Sequence, residues 1–333
     1  MRLTINNKKV LITGGAGFIG SHLVAVLLQQ GNQVVALDNF ATGKIENISD
    51  HIGRPDFKLL EGDIRNMEDC RQAVEGVEIV LHQAALGSVP RSINDPVTSN
   101  EVNISGFLNM LVAARDAGVS RFVYAASSST YGDHPGLPKV EGQIGKPLSP
   151  YAVTKYVNEL YADVFARTYD MQLVGLRYFN VFGPRQDPNG AYAAVIPKFI
   201  GLLLQHQSPV INGDGTHSRD FTYIDNVVQM NQLAATTDNP EAINQVYNVA
   251  CGEQTDLNQL FEHLKQALTE YDQEIARVKV EYGSERKGDI KHSLADISKA
   301  EKLLGFQPEV KVSEGLQKTA EWFYKNNKKN WMY

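Results

Sequence analysis

The chain has 333 residues and a formal net charge of -6, a size that suits one large α/β domain with a smaller addition and a charge that argues against a nucleic-acid partner. Its two cysteines, Cys70 and Cys251, offer neither a disulfide framework nor a zinc-binding spacing, so we expect no metal site and a reducing compartment. Neither a signal-peptide pattern nor a run of about twenty apolar residues is present, which predicts a cytoplasmic protein without membrane contact.

The first predicted element is a short apolar strand, Val10 to Ile12, that leads into the glycine-rich run Thr13 to Gly20. A helical pattern follows from Ser21 to Gln30, and this order of strand, glycine turn and helix is typical of a dinucleotide-binding site. Glycines let the backbone approach a pyrophosphate, and the start of the helix offers unpaired N–H groups and the positive end of its dipole. The next strand ends at Asp38, where a carboxylate would bind the adenosine ribose hydroxyls of NAD and repel the 2′-phosphate of NADP.

Short β-rich runs alternate with helical patterns along the first half of the chain, which predicts a Rossmann-type, doubly wound parallel sheet. The predicted strands are Val10 to Thr13, Val34 to Leu37, Phe57 to Leu60, Ile79 to His82, Phe122 to Ala126 and Leu173 to Leu176. Such sheets bind ligands beyond the carboxyl ends of their strands, so the residues there form the candidate site. They are Asp38, Asp63 and Ile64, Gln83 to Ala85, Ser127 to Ser129, and Tyr178.

After Asn180 the pattern becomes irregular and rich in turn residues, which we interpret as a smaller α/β lobe that binds the substrate. One further strand, Val246 to Ala250, is predicted to return to the sheet, so the two lobes would interleave along the chain. The predicted dinucleotide-binding domain therefore takes residues 1-179 and about 220-250, and the substrate-binding lobe takes 180-219 and about 251-333.

The second motif is the run Tyr151 to Lys155, which follows a suitable helix N-cap at Ser149. A predicted helix from Tyr151 to Tyr169 places Tyr151 and Lys155 four residues apart on one face. A nearby ammonium and the helix N-terminus both favour a phenolate, so we expect the pKa of Tyr151 to be lowered toward the range of a general base. This spacing also occurs in ordinary amphipathic helices, and it is the glycine-rich turn and the serines after a strand that favour a catalytic role here.

The chain resembles the extended short-chain dehydrogenases/reductases, and within them the nucleotide-sugar 4-epimerases. The resemblance extends over nearly the whole length and rests on several separated motifs. They are Thr13 to Gly20, Asp63 and Ile64, His82 to Ala85, Ser127 to Gly132, Tyr151 to Lys155, Arg177 to Pro184, Gly213 to Phe221 and Arg286 to Asp289. Two further stretches, Gly87 to Ser92 and Asn189 to Lys198, are most similar to those of bacterial UDP-N-acetylglucosamine 4-epimerases.

The resemblance implies an NAD-dependent isomerase that oxidises and then reduces C4 of a UDP-linked sugar. Tyr151 would take the proton of the C4 hydroxyl while a hydride passes to NAD, and the 4-keto sugar would swing about its diphosphate before the hydride returns to the other face. Lys155 would bind the nicotinamide ribose and keep Tyr151 acidic. Ser127 would hydrogen-bond the reacting oxygen and relay its proton.

The resemblance also assigns residues to the cofactor and to the substrate. NAD would contact Gly14, Gly17, Phe18, Ile19, Asp38, Asn39, Thr42, Gly43, Asp63, Ile64, Gln83, Ala84, Ala85, Tyr151, Lys155 and Tyr178. The UDP-sugar would contact Ser88, Ser127, Ser128, Ser129, Tyr151, Asn180, Ala194, Val195, Lys198, Asn212, Arg219, Arg286, Asp289 and Ser293. Within this set, Arg219 and Arg286 would bind the diphosphate and Asp289 the uridine ribose.

The choice of sugar is implied by Ser293, which leaves room for an N-acetyl group where a tyrosine resembles the enzymes restricted to non-acetylated sugars. The resemblance therefore favours interconversion of UDP-GlcNAc and UDP-GalNAc, with the UDP-glucose/UDP-galactose pair and UDP-N-acetylhexosaminuronic acids as alternatives. A nucleotide-sugar dehydratase is less favoured, because Ser127 to Thr130 contain no carboxylate for the elimination of water. A non-catalytic NAD-sensing protein is also less favoured, because such proteins usually lose the tyrosine-lysine pair.

The resemblance extends to assembly and to pathway. Two predicted helices, Glu101 to Ala117 and Tyr151 to Tyr169, resemble those through which family members form a two-fold, four-helix contact. We therefore expect a homodimer. The bacterial enzymes with similar motifs act in surface-polysaccharide synthesis, which is the pathway that the resemblance implies.

Overall fold

The computed structural model describes residues 4-188, 193-285 and 291-330 of the chain. As far as residue 178, α-helices separate all consecutive strands except the second and the third. These elements are β1 (Lys9–Thr13), α1 (Phe18–Gln29), β2 (Gln33–Asp38), β3 (Phe57–Glu61), α2 (Met67–Ala73), β4 (Ile79–His82), α3 (Val89–Asn94), α4 (Pro96–Asn100), α5 (Phe107–Asp116), β5 (Arg121–Ser127), α6 (Pro150–Tyr169) and β6 (Leu173–Tyr178). The following elements are β7 (Val181–Phe182), α7 (Val195–Leu204), β8 (Val210–Asn212), β9 (Ser218–Arg219), β10 (Thr222–Tyr223), α8 (Ile224–Thr236), β11 (Gln245–Val249), β12 (Thr255–Asp256), α9 (Leu257–Thr269), β13 (Glu281–Gly283), α10 (Ser298–Leu304) and α11 (Val312–Asn330).

Seven strands form one sheet in the order β11-β6-β5-β4-β1-β2-β3, and all of its pairs are parallel. The predicted Rossmann-type sheet is confirmed, and the strand Gln245–Val249 returns to it beside β6. The strand order reverses between β1 and β4, so a crevice opens at their carboxyl ends, where sheets of this kind bind ligands. The division of the chain into two interleaved lobes stays a prediction.

Alternate residues of each strand pack into opposite halves of the core. In β1, Val10 and Ile12 belong to the cluster that includes residues of α1, α8 and the C-terminal helices. Leu11, between them, belongs to the cluster that includes residues of α2, α5 and α6. Because both faces of the inner strands β1, β2 and β4 are covered, these strands are mostly apolar, which is why their sequences read as nearly continuous hydrophobic runs.

Two parts of the helical structure differ from the sequence-based expectations. The helix predicted from Glu101 to Ala117 contains a wider π-helical segment over Glu101–Gly106, between α4 and α5. The region that we described as irregular contains the long helices α7, α8, α9 and α11. A signal for α9 was present in the sequence, because Asp256 and Gln259 form a capping box at its start.

Within the described ranges, none of the helices has the length and apolar character needed to span a bilayer. The same ranges contain no cluster of three or more histidine, cysteine, aspartate or glutamate side chains arranged to hold a metal ion. Cys70 and Cys251 are both buried and unbridged.

Candidate active site

The glycine-rich turn between β1 and α1 has no room for larger side chains. Gly14 has a φ of +67°, and a Cβ atom there would lie 2.9 Å from the backbone nitrogen of Ala84. A Cβ atom at Gly20 would collide with the carbonyl oxygen of Gly14, so the helix can pack closely against the turn only with glycine here. Helix α1 begins after Gly17 without a side-chain cap or an acidic residue in its first turn. Its N-terminal N–H groups and dipole are therefore suited to an anion.

A cleft of about 390 Å³ lies beside this turn, at the carboxyl ends of β1, β2 and β4. It brings together most of the residues that sequence analysis assigned to the cofactor. They are Gly14, Gly17, Phe18, Ile19, Asp38, Asn39, Thr42, Asp63, Ile64, Gln83, Ala84 and Ala85. The four predicted cofactor residues that do not line this cleft are Gly43, Tyr151, Lys155 and Tyr178. Among them, Tyr178 contacts the cleft wall, because its hydroxyl donates to Oε1 of Gln83 over 3.1 Å.

The Asp38 carboxylate, on the cleft wall, also holds the glycine-rich turn in place. Its Oδ2 accepts from the N–H of Ala16 over 2.9 Å, and its Oδ1 accepts from the N–H of Phe40 over 2.8 Å. Burial raises the pKa of Asp38, while these backbone hydrogen bonds oppose the rise. A Cβ atom at Gly43 would lie 2.9 Å from both carboxylate oxygens. The backbone N–H of Gly17 is a third donor to this carboxylate. A carboxylate has about four acceptor sites, so one remains for the predicted ribose contact.

A second acid, Asp63, is held ionised at the end of the neighbouring strand. Its Oδ2 accepts from Nη2 of Arg65 over 2.7 Å and from Nδ2 of Asn39 over 2.9 Å. The hydrogen bonds from Arg65 lower the pKa of Asp63 to about 2. Arg65 also lines the cleft and was missed by the sequence analysis, although it directly follows the predicted site residues Asp63 and Ile64.

Helix α6, which carries the predicted catalytic residues, is fixed at its start by two serines. Oγ of Ser149 accepts from the N–H of Ala152 over 3.1 Å, as predicted for an N-cap. Oγ of Ser92, in α3, accepts from the N–H of Tyr151 over 3.0 Å. Lys155 is buried, and its Nζ donates to the carbonyl oxygen of Ala125 over 2.8 Å, near the end of β5. The helix therefore enters the site with both Tyr151 and Lys155 at the carboxyl edge of the sheet.

The expected lowering of the Tyr151 pKa was wrong in its direction. Burial raises the pKa of Tyr151 above its usual value, and the hydrogen bond with the Ser127 side chain opposes the rise. Burial also lowers the pKa of Lys155 to about 8. The spacing of four residues predicted a shared helix face, but burial disfavours the charged form of both side chains.

The hydroxyl of Ser127 has a defined hydrogen-bonding direction. Its Oγ accepts from the backbone N–H of Ser129 over 3.1 Å and from Oγ of Ser129 over 2.8 Å. A serine hydroxyl accepts through two lone pairs and donates one proton. With both lone pairs engaged, the Ser127 proton is left to donate to the Tyr151 oxygen, which agrees with the effect of this contact on the Tyr151 pKa.

Asn103, in the π-helical segment, connects the cleft to α6 and was missed by the sequence analysis. Its Oδ1 accepts from the N–H of Leu86 over 2.8 Å, and its Nδ2 donates to Oγ1 of Thr154 over 3.1 Å. Its backbone carbonyl accepts from Nδ2 of Asn158 over 2.7 Å. An asparagine inside a helical pattern was the only available signal, because its side chain competes for backbone partners.

A second cleft, of about 270 Å³, gathers residues predicted to bind the substrate. Its walls include Asn180, Val195, Lys198, Asn212 and Arg219. Two cations and two amides in one concave surface are suited to phosphate oxygens. Arg286 and Asp289, predicted to act with them, lie outside the described residues.

The other predicted substrate residues lie at separate places. Ala194 is the N-cap residue of α7, next to the second cleft. Oγ of Ser88 caps α3 by accepting from the N–H of Arg91 over 3.2 Å. Ser128 begins the short 3-10 helix after β5, and the N–H of the half-buried Ser293 donates to the carbonyl of Ser218 over 3.1 Å. Their contacts with a sugar stay predictions.

Comparison with known proteins gives consistent results. Residues 10–250 match the model of the NAD dependent epimerase/dehydratase family. The UDP-N-acetylglucosamine 4-epimerase of Methanobrevibacter ruminantium M1, solved with UDP-N-acetylmuramic acid, is 40% identical with a TM-score of 0.90 over 97% of this chain and 100% of that chain. The UDP-glucose 4-epimerase of Thermotoga maritima, solved with UDP-glucose, is 37% identical with a TM-score of 0.88 over 96% of this chain and 99% of that chain. The curated UDP-glucose 4-epimerase of Mycolicibacterium smegmatis is 36% identical over 95% of this chain and 98% of its own length.

Proposed function

This chain belongs to the NAD dependent epimerase/dehydratase family and is a UDP-sugar 4-epimerase, and we propose that it interconverts UDP-GlcNAc and UDP-GalNAc. The observation that carries the proposed reaction, as distinct from the choice of sugar, is the hydrogen bond between Tyr151 and Ser127, with the buried Lys155 one helical turn from Tyr151. This arrangement can move a proton at a sugar hydroxyl, which is the acid-base part of an epimerisation at C4.

The residues of the first cleft fit NAD. Gly14 and Gly20 leave the backbone open to a close approach, and the start of α1 carries no side chain that would compete for an anion. Asp38 and Gln83 would hold other parts of the dinucleotide by hydrogen bonds. When bound, NAD supplies a hydride acceptor that returns the hydride to the same carbon, and a positive charge that favours nearby anions.

Tyr151 would hold the proton that leaves and returns to the sugar oxygen. Its raised pKa keeps the phenol protonated at neutral pH, so positive charge in the site is needed before it can act as a base. Lys155 contributes such charge, because a pKa of about 8 leaves its ammonium largely protonated at neutral pH. Ser127 stabilises the phenolate by donating its proton to the same oxygen.

The second cleft would hold the diphosphate and the uridine. Lys198 and Arg219 provide positive charge, and Asn180 and Asn212 provide amide donors and acceptors. Nδ2 of Asn180 donates to the carbonyl of Asp220 over 3.0 Å, which orients its amide in the wall of the cleft. If these residues bind the diphosphate and the uridine, the hexose at the other end of the diphosphate can extend to Tyr151.

The preference for an acetylated sugar is supported by one residue and by one relative. Ser293 is half-buried and small, and the M. ruminantium protein is named a UDP-N-acetylglucosamine 4-epimerase. The T. maritima and M. smegmatis relatives are named UDP-glucose 4-epimerases, so UDP-glucose and UDP-galactose are the second candidate pair. UDP-N-acetylhexosaminuronic acids are the third.

We expect Ser293→Tyr to lower kcat/KM for UDP-GlcNAc by about tenfold or more while kcat/KM for UDP-glucose changes less than about threefold, because the larger ring would occupy the space of the acetamido group. Ser298→Tyr, at an exposed position, is the matched control and should change neither value. Equal losses on the two sugars would show that Ser293 does not select between them.

The proposed reaction is tested by incubating the purified chain separately with UDP-GlcNAc, UDP-glucose and a UDP-N-acetylhexosaminuronic acid, without added NAD. Chromatography of the products should show UDP-GalNAc formed with the highest kcat/KM of the three. A higher kcat/KM for UDP-glucose would overturn the choice of sugar but leave the 4-epimerase assignment intact. Conversion of none of the three would overturn the proposed reaction.

We also propose a homodimer, which an apolar surface on α6 and α4 supports. Val153, Leu160 and Val164 of α6 are 45%, 49% and 46% exposed, and Val97 of α4 is 66% exposed. The three residues of α6 are spaced by seven and four, so they share one face of the helix. A two-fold copy would cover this face. Light scattering should give twice the mass of the chain, and the mass of a single chain at micromolar concentration would contradict the proposal.

A further inference from the structure

A closed ring of hydrogen bonds lies at the back of the cofactor cleft, formed by Gln83, Tyr178 and Asn231. Nε2 of Gln83 donates to Oδ1 of Asn231 over 3.1 Å. Nδ2 of Asn231 donates to the Tyr178 hydroxyl over 2.9 Å, and that hydroxyl donates to Oε1 of Gln83 over 3.1 Å. Within the ring, each side chain therefore donates one hydrogen bond and accepts one. Because Gln83 follows β4, Tyr178 ends β6 and Asn231 lies in α8, the ring joins three separate elements.

The backbone of α8 fixes the direction of this ring. Asn231 is fully buried, and its Nδ2 also donates to the carbonyl oxygen of Val227, one turn earlier, over 2.8 Å. A carbonyl oxygen can only accept, so the Asn231 amide cannot be reversed without placing Oδ1 against it. Oδ1 is thereby directed at Gln83 and must receive its N–H. The Tyr178 hydroxyl, which accepts from Asn231, must then give its own proton to Gln83.

We propose that Asn231 is a positioning residue for the cofactor site, which sets the amide orientation of Gln83 and the hydroxyl direction of Tyr178. This inference rests on the proposed function, because it concerns how the nicotinamide dinucleotide is held. Gln83 lines the cleft, and the fully buried Asn231 acts through it and through Tyr178. Asn231 has no motif that marks it in the sequence, and its contact with Gln83 joins residues 148 positions apart.

The orientation of the Gln83 amide determines where the cleft wall presents a hydrogen-bond donor and where it presents an acceptor. Within the ring, Gln83 keeps one N–H and one lone pair of Oε1, on fixed sides of its amide. Reversal of this amide would exchange the donor and the acceptor and lose a hydrogen bond to the dinucleotide. Burial raises the pKa of Tyr178 to about 12, so the hydroxyl keeps its proton, and the ring its direction, at neutral pH.

We expect Asn231→Ala to raise the NAD dissociation constant about tenfold, as measured by calorimetric titration of nucleotide-free protein. The Tyr178 hydroxyl also reaches the cleft wall through Gln83. Both routes therefore depend on Gln83, and in a Gln83→Ala background the same substitution should raise the dissociation constant less than about twofold. Asn231→Asp keeps the size of the side chain but cannot donate to Val227, so it should also weaken NAD binding. This variant replaces Asn231→Ala in the titration if the alanine variant does not fold.

Asn226→Ala is the matched control, because Asn226 is also a buried asparagine of α8. Its amide holds the backbone of Val310, donating over 2.8 Å and accepting over 3.1 Å, away from the cleft. We expect this variant to lose thermal stability but to keep the NAD affinity of the unaltered chain. Unchanged NAD affinity in the Asn231 variants, or equal effects of Asn231→Ala with and without Gln83, would overturn the inference. No sugar enters this titration, so a failure of the proposed epimerisation would be seen separately, as NAD binding without conversion of any UDP-sugar.

Discussion

Tyr151→Phe is expected to lower kcat on the preferred UDP-sugar about a thousandfold, within the range that general acid-base catalysis contributes. The substitution removes only the hydroxyl that hydrogen-bonds Ser127 and would carry the proton of the sugar oxygen. The glycine-rich turn and Asp38 are untouched, so the NAD dissociation constant should change less than about threefold. Steady-state kinetics and a cofactor titration on the same preparation measure both effects.

The matched control is Tyr156→Phe, at a half-buried tyrosine of the same helix that we do not place in the site. It should retain the full kcat. If Tyr151→Phe kept more than about a tenth of the activity of the unaltered chain, Tyr151 would not be the group that moves the proton.

Glu159→Ala is expected to lower the free energy of unfolding by about 3 to 5 kcal/mol, because it leaves the charge of Arg177 buried without its partner. The two side chains are 8% and 4% exposed and form a paired contact, with Nε and Nη2 of Arg177 donating to the carboxylate over 2.8 and 2.7 Å. Arg177 also stacks on the ring of Tyr131, 4.8 Å from its centroid. Denaturant unfolding followed by circular dichroism measures the loss.

An exposed ion pair on the same helix provides the control for this second prediction. Arg167 and Asp163 pair over 2.6 to 3.3 Å in the same geometry but with side chains 68% and 64% exposed. Asp163→Ala should therefore cost less than about 1 kcal/mol. Adding Arg177→Met to Glu159→Ala should recover much of the lost stability by removing the unpaired charge. Equal losses for the Glu159 and Asp163 variants would contradict the argument from burial.

The central sheet and the placement of Tyr151 and Lys155 on one helix could be predicted because both depend on local sequence. Strands buried on both faces must be apolar throughout, and the glycine turn after β1 needs residues without a side chain. Tyr151 and Lys155 are placed on one face by helical spacing alone. The rule for buried strands also predicted the returning strand β11, whose apolar run differs from the turn-rich sequence around it.

The remaining features depend on contacts between distant parts of the chain. The pKa of Tyr151 is governed by burial and by Ser127, which spacing along one helix cannot reveal. Asn103 and Asn231 hydrogen-bond to partners on other elements, and an asparagine inside a helical pattern does not reveal which partners those are. Helix α8 packs on the central sheet, and α7, α9 and α11 pack on one another. The abundant turn residues between these helices made their periodicity hard to recognise in the sequence.

The most direct test of the account uses UDP-GlcNAc that carries deuterium at C4, incubated with the purified chain without added NAD. Mass spectrometry of the UDP-GalNAc formed should show the deuterium retained at C4, because the hydrogen that leaves this carbon returns to it within the same active site. A product that carries hydrogen from water at C4 would contradict the account.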